Sequence, residues 1–434
     1  GLMTYGKIKP EGYLPRIVDA EIEHYLALFG AVEVAGTKWC GKTWAARAHA
    51  ASVTYVDQGK NLQLASADPS LMLLGETPHV IDEWQQLPLL WDTVRHAVDN
   101  AGGVKGSWIL TGSSVPRKEE VSHSGAGRIG RIRMSPMTLA ESGDSTAKIS
   151  LAGLFAGEFA PLMLKVDTRK LVDVVCRGGW PEALSMNPLD AQVIAREYLR
   201  AVYDQSIPRL GKKGDSAERL VASLARNLGQ AVTYKTLQKD MFGEEGLEEG
   251  IVSMKTVADY VAALESLYLI ESVKGWAPPA RSPRRVQTKE KRYFADPSLA
   301  AAALGMNTDA LLGDWQTFGL LFENLCMRDL GVYARALPNP AINPVRYYRD
   351  DSGLEVDAII ELADGRWAAL EIKTSEDKVA AGVKSLTRLR DKLQKNPQAH
   401  MREPEFLAVV VGIAEYARKT PEGVYVIPIT ALGA

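Results

Sequence analysis

The stretch Gly36-Thr37-Lys38-Trp39-Cys40-Gly41-Lys42-Thr43 reads G-x-x-x-x-G-K-T, and nothing else in the chain constrains its fold as tightly. Ahead of it, Ala31-Val32-Glu33-Val34-Ala35 alternates like a short strand. Behind it, Trp44-Ala45-Ala46-Arg47-Ala48-His49-Ala50 is rich in helix formers. Strand, glycine-bounded loop and helix is the context in which successive backbone N–H groups converge on an anion at a helix N-terminus. Gly36 through Thr43 then form a phosphate cradle. Lys42 is expected to reach the β- and γ-phosphates of ATP, and the Thr43 hydroxyl to bind Mg²⁺.

Such a loop requires partners, and candidates follow in order. His79-Val80-Ile81-Asp82-Glu83-Trp84 is a short apolar strand ending in adjacent carboxylates. One acid at such a strand end holds the metal and a second polarises the attacking water, so Asp82 is assigned to Mg²⁺ and Glu83 to the water. A solvated acidic turn is the bland alternative. Ser107-Trp108-Ile109-Leu110-Thr111 reads as a third strand running into Gly112-Ser113-Ser114, where Ser113 is placed to sense the γ-phosphate. Gly125 to Arg133 then carries three arginines in a glycine-rich setting. Arg128, favoured over Arg131, is a candidate arginine finger acting in its own or a neighbouring subunit. A basic solvated loop or strand is the competing reading.

The 434 residues allow two to four domains, and 46% hydrophobic with 24% charged residues is ordinary globular composition. No apolar run approaches the roughly 18 residues of a membrane span. No basic-then-apolar leader opens the sequence, and the three cysteines lack metal or disulfide spacing, which together point to a reducing cytoplasm. A net charge of −2 excludes a chain that coats nucleic acid with its whole surface. Any DNA contact must come from local basic patches.

The pattern is α/β. An ATP-binding unit with a parallel sheet is expected over 1–145, followed by a helical lid over 146–215 whose sharpest break is Gly178-Gly179-Trp180-Pro181. Three helical stretches then fall in 216–297. In the last of them Val257, Val261, Leu264 and Tyr268 share a face. A basic stretch follows, holding Arg281, Arg284, Arg285, Lys289, Lys291 and Arg292, before Tyr293-Phe294 closes a strand. Three helices and a hairpin with a basic tip are the layout of a winged-helix domain, with those six side chains on DNA phosphates. A small helical bundle with a charged loop is the other reading.

From 312 to 434 a second α/β pattern appears. A helix around Phe318–Leu325 carries Glu323 in an otherwise apolar run. Strands at 345–349, 354–360 and 367–373 follow, carrying Asp357, Glu371 and Lys373. Glu371 lies fourteen positions after Asp357, so adjacent antiparallel strands bring the two together, with Lys373 on the same face as Glu371. This ordered set, Glu323, Asp357, Glu371 and Lys373, is the D…E-x-K signature of restriction-endonuclease-like nucleases. There, carboxylates bind Mg²⁺ and a lysine handles the nucleophile. An amphipathic hairpin with incidental charges is the alternative, and such folds also persist as silent modules.

Taken together, Tyr13-Leu14-Pro15-Arg16, the G-x-x-x-x-G-K-T loop, Ile81-Asp82-Glu83-Trp84, Leu110-Thr111-Gly112-Ser113, Gly127-Arg128-Ile129-Gly130-Arg131, Gly178-Gly179-Trp180-Pro181-Glu182 and the Glu355-Val356-Asp357…Glu371-Ile372-Lys373 pair make the chain similar to a family of prokaryotic AAA-type ATPases. Members join a P-loop domain to a restriction-endonuclease-like C-terminal domain of unassigned function. The resemblance implies ATP hydrolysis, a winged-helix middle domain and self-association, as a hexameric ring or related assembly. The resulting expectation is an ATP-dependent DNA-remodelling enzyme acting on branched DNA such as a Holliday junction. A nucleotide-gated signalling or defence switch, or an adaptor with a silent nuclease-like module, is the alternative.

Overall fold

The structure is a computed structural model that describes residues 2–116, 127–248, 253–278, 289–395 and 401–434. The chain divides into two compact units. One comprises residues 1–136 with 266–269, the other 137–265 with 270–434.

The first unit is built on five parallel strands, β1 (Ala31–Ala35), β2 (Ser52–Tyr55), β3 (His79–Asp82), β4 (Trp108–Gly112) and β5 (Ile129–Arg133), in the order β2-β3-β4-β1-β5. Every residue of β1 is buried, as expected of a central strand covered on both faces. In a parallel sheet all strand C-termini lie on one edge, which is where ligands bind in open α/β folds. The glycine-rich loop follows β1, Asp82 and Glu83 end β3, and Ser113 follows β4, so that edge collects them all.

The segment before the first helix (Val18–Leu28) braces the loop from behind. The Arg16 guanidinium is buried and donates to the Cys40 carbonyl at 2.7 Å and the Ser135 carbonyl at 2.7 Å. Asp19, also buried, accepts from the Arg16 amide at 2.8 Å and the Tyr13 hydroxyl at 2.7 Å. His49, at the end of the helix Lys42–Ala48, lies 2.8 Å from Asp19 and 2.6 Å from Glu23.

In the second unit, β10 (Pro340–Arg349), β11 (Glu355–Leu362) and β12 (Trp367–Ser375) are antiparallel, and β13 (Leu407–Ile413) and β15 (Tyr425–Pro428) continue the sheet in parallel with β12. The order of this core along the chain is helix Trp315–Arg335, three strands, helix Val379–Gln394, strand. The second of these helices buries Val383, Leu386 and Leu389 against Ala369, Val409 and Val411. The edge is extended by β14 (Tyr416–Lys419) and β7 (Leu162–Met163), while β6 (Ile149–Ser150) pairs with β16 (Leu432–Gly433). The early part of the segment expected as a lid thus supplies one strand, β7, to the C-terminal sheet and another, β6, to a separate two-stranded pair with β16.

Ahead of this core in the chain come helices Gly214–Arg226, Tyr234–Glu248 (interrupted at Gly243, φ 72°) and Met254–Ser266. The antiparallel pair β8 (Ile270–Val273) and β9 (Lys291–Phe294) follows. This segment therefore consists of three helices followed by an antiparallel strand pair. Beyond β8 the chain runs along β10, with the Trp276 amide donating to the Tyr347 carbonyl at 2.6 Å and the Tyr347 amide to that of Lys274 at 3.1 Å.

The Asp19–His49–Glu23 cluster generates a pH prediction. Burial opposes the imidazolium, but Asp19 and Glu23 raise the His49 pKa above its ordinary 6.5. A histidine bound more tightly to its proton when folded contributes stability that is fully present below its unfolded pKa and is lost as pH rises through the folded one. His49→Gln is expected to destabilise the first unit by about 1–3 kcal/mol in mildly acidic buffer, with the deficit shrinking above that window. Thermal melts of both proteins across neutral pH check this, and a deficit independent of pH would refute it.

Two candidate functional sites

The first site is built by the loop after β1. Gly41 adopts φ 101° and Gly36 meets Met134 so closely that a Cβ would stand 2.1 Å from its carbonyl oxygen, so both positions demand glycine. The Lys42 ammonium donates to the Thr37 carbonyl across the loop at 2.8 Å, and the Thr37 hydroxyl is buried without a partner. Cys40 is buried, whereas Lys38 and Trp39 are exposed, Trp39 with φ 64°.

Asp82 is the hub. Its Oδ1 accepts from the Thr43 hydroxyl at 2.7 Å and from the Thr111 hydroxyl at 2.7 Å. Burial pushes its carboxyl above the usual range, against the pull of those hydroxyls and of Lys42. A cation facing Thr43 and Asp82 would replace the proton that burial favours, so these residues fit Mg²⁺. Glu83 stands in the left-handed region (φ 58°, ψ 49°), with its amide on the Thr111 hydroxyl at 3.1 Å. Its Oε2 accepts from the Ser113 hydroxyl at 2.8 Å and from the Gln85 amide. Lys42, Thr43, Asp82, Glu83 and Ser113 are thus brought together at one edge of the sheet. Thr111, Gln85 and the bracing Arg16 were missed as site residues. The run Leu110-Thr111-Gly112-Ser113 carried the signal for Thr111, a hydroxyl at a strand end beside the acids.

The arginines are placed differently. Arg128 precedes β5, and its carbonyl accepts from the Ala31 amide at the start of β1. It therefore sits on the strand-N-terminal edge, a strand length of about 15 Å from the loop of its own subunit. Its guanidinium pairs with Asp99 at 2.5 Å. A finger role for Arg128 toward its own nucleotide is thereby excluded by the sheet's polarity. Arg131 lies mid-strand opposite Glu33 and 5.0 Å above the Trp91 ring.

The second site is in the C-terminal sheet. The register that pairs Ala358 with Leu370 carries Asp357 opposite Glu371. The Asp357 amide donates to Glu371 Oε1 at 3.1 Å, and Lys373 Nζ lies 3.7 Å from Glu371 Oε2. Glu323 joins from the helix Trp315–Arg335. Burial and the nearby Asp357 push its carboxyl up to about 8 against the pull of Lys291, and burial with Asp357 pushes Glu371 up as well. Glu323, Asp357, Glu371 and Lys373 are thus brought together within the second unit.

The DNA-binding set fares unevenly. Arg281, Arg284 and Arg285 lie outside the described residues, and Lys289 is exposed. Lys291 and Arg292 are not on a hairpin tip: both are buried within β9, at 2% and 8% exposure. Lys291 pairs with Glu355, and Arg292 lies over the Tyr234 ring. A count of basic residues marks charge but not which positions a paired strand turns inward.

Residues 29–142 match the family described as an AAA domain. Residues 168–310 and 318–432 match two families described as domains of unknown function, DUF8612 and DUF4143. An uncharacterized protein of Mycobacterium tuberculosis is 25% identical over 325 residues, 74% of this chain, and the match spans 64% of that relative's length. A Walker-type ATPase of Pyrococcus abyssi is similar over 69% of this chain and 98% of its own at 12% identity and TM-score 0.42. RuvB of Thermotoga maritima is similar over 61% and 92% at 15% identity and TM-score 0.30. Among the described residues no helix is long and apolar enough to cross a membrane. The N-terminal unit thus matches the AAA-domain family over residues 29–142 and carries a phosphate-loop geometry after β1.

Proposed function

We propose that the protein is a Mg²⁺-dependent ATP hydrolase that acts on DNA, with branched duplexes as the preferred substrate. The observation that carries the hydrolase reading is the shared Asp82 oxygen. One carboxylate oxygen holds Thr43 in the loop and Thr111 on β4, so the metal-facing and sensing edges are tied through a single atom. Lys42 would leave the Thr37 carbonyl for the β- and γ-phosphate oxygens. Mg²⁺, when bound through Thr43 and Asp82, supplies neutralisation of charge on those phosphates. Glu83 accepts the proton of the attacking water once Ser113 and Gln85 release it. Self-association would let an arginine such as Arg128 reach a neighbouring subunit's nucleotide, since its own lies at the opposite sheet edge.

The DNA reading rests on three helices followed by an antiparallel pair, the order of a winged helix, with Arg284, Arg285 and Lys289 in the connection. A second basic surface favours the same partner. Lys384, Arg388 and Lys395 are exposed along or just beyond the helix Val379–Gln394. The order helix, three strands, helix, strand and the converging Glu323, Asp357, Glu371 and Lys373 support a restriction-endonuclease-like C-terminal domain.

Lys42→Ala is expected to abolish nucleotide binding or turnover, whereas Glu83→Gln binds ATP and loses turnover by a factor on the order of 10²–10⁴. Steady-state hydrolysis with and without four-way, duplex and single-stranded DNA checks both parts. Native turnover by Lys42→Ala would refute the site, and indifference to all three DNAs would favour a nucleotide-gated switch.

Replacing Arg284, Arg285 and Lys289 with alanine is expected to weaken DNA binding. It should also flatten the slope of log affinity against log salt by about 0.9 for each phosphate left without its basic side chain. An unchanged slope in a salt titration places DNA on the Lys384–Lys395 surface instead.

A further inference from the structure

A divalent-metal centre needs carboxylate lone pairs left free to face one ion. In the C-terminal site one oxygen of each carboxylate already faces a protein donor. Asp357 Oδ2 accepts from the Ile372 amide at 2.8 Å, Glu371 Oε1 from the Asp357 amide at 3.1 Å, and Glu323 Oε1 from the Tyr293 hydroxyl at 2.8 Å. Among the described residues no group of three or more His, Cys, Asp or Glu is arranged to hold a metal ion. With one oxygen of each already bonded, the carboxylates do not fit the metal that the nuclease-like reading implies for as long as another cation sits beside them.

A different cation is already there. Lys291 enters from β9, and its side chain is 3% exposed. Its ammonium pairs with Glu355 and lies 4.8 Å from the centre of the Tyr347 ring. Two residues along β9, and so on the same face of the strand, the Tyr293 hydroxyl donates to Glu323 Oε1 at 2.8 Å, which places Lys291 on the side of the strand that meets this cluster. From another side Gly229 closes over the cluster so tightly that a Cβ would stand 2.9 Å from Glu323 Oε2. An ammonium has three donors and no open coordination position, so it neutralises carboxylates without activating water.

We propose that Lys291 is the resident cation of this site. Its ammonium takes the counter-charge role that a divalent metal holds in a cleaving enzyme. The cluster therefore binds no divalent ion and instead clasps the β8–β9 hairpin to the C-terminal sheet. The proposal rests on the nuclease-like reading of the domain and specifies what that domain has become. The same clasp continues through Tyr347, whose hydroxyl donates to the Lys289 carbonyl. It extends to Trp276, whose ring nitrogen donates to Glu361 Oε2 at 3.0 Å.

The test counts bound Mn²⁺ by electron paramagnetic resonance on the full chain without nucleotide. Wild type and Asp357→Asn are expected to bind the same number of ions, because the cluster holds none. Lys291→Met, which keeps the stem and removes the charge, is expected to melt at a lower temperature. It should gain one Mn²⁺ and recover melting temperature as Mn²⁺ is added, with both gains abolished in Lys291→Met/Asp357→Asn. An ion bound by wild type and absent from Asp357→Asn overturns the proposal and leaves the nuclease-like reading standing. A folded Lys291→Met that gains no ion removes the nuclease-like reading itself. If Lys291→Met does not fold, the comparison of wild type with Asp357→Asn decides alone, with Lys291→Arg expected to remain indifferent to Mn²⁺.

Discussion

Burying Asp82 at the end of β3 is unfavourable for its charge, and the way that penalty is met organises the first unit. The carboxylate needs donors, and the nearest are the hydroxyls of Thr43 and Thr111, which come from different parts of the fold. Satisfying one oxygen therefore ties the first turn of the loop's helix to the neighbouring strand β4. Glu83 follows in a strained left-handed conformation that turns its side chain toward Ser113 and Gln85. Such strain costs on the order of 1–3 kcal/mol and persists only where surrounding contacts over-determine it. The Glu83 amide, held on the Thr111 hydroxyl, is one such contact.

The loop itself is held from the opposite direction. Arg16 commits its guanidinium to two main-chain carbonyls, at Cys40 in the loop and at Ser135 beyond β5. A planar fork of donors suits this task, because it fixes two separate chain segments at a set spacing where a lysine fixes one. Behind Arg16, Asp19 and His49 join the same brace to the far end of the loop's helix. The phosphate cradle is thus preorganised by groups that need never touch a nucleotide, which is how a loop of glycines can present a defined geometry.

Local patterns were the legible part of the sequence. The loop, the Asp82-Glu83 strand end and the Asp357–Glu371–Lys373 pair each depend on spacing along one strand or turn, and spacing is visible in a sequence. Apolar periodicity marked the last helix of this segment, where Val257, Val261 and Leu264 are buried on one face. What was not legible depended on direction or on distant pairing. Arg128 looked like a finger because glycines and arginines cluster there, but β5 runs parallel to β1, so a residue before it faces away from the loop. Lys291 and Arg292 were counted with a basic tip, although their partners Glu355 and Tyr234 lie far off in sequence. The strands β6 and β7 are two residues each, too short to carry a period, and became visible only through their partners Leu432–Gly433 and Tyr416–Ala417.

The two carboxylate clusters of this chain obey the same electrostatics and reach opposite ends. Around Asp82 the donors are hydroxyls, which can rotate and also accept, so a metal ion or its water can share the oxygen without breaking the fold. Around Asp357 and Glu371 the donors are main-chain amides of the sheet itself, which cannot turn away. Glu323 is held by a phenol, and the remaining charge is met by ammonium groups on Lys291 and Lys373. Removing one partner from such a buried set costs more than the set contributes as a whole, because the remaining charge is left uncompensated. A cluster of that kind holds its elements together more readily than it exchanges ligands. The hairpin that carries Lys291 is consequently part of the C-terminal domain's own packing, and a function for that domain has to be compatible with β9 staying in place.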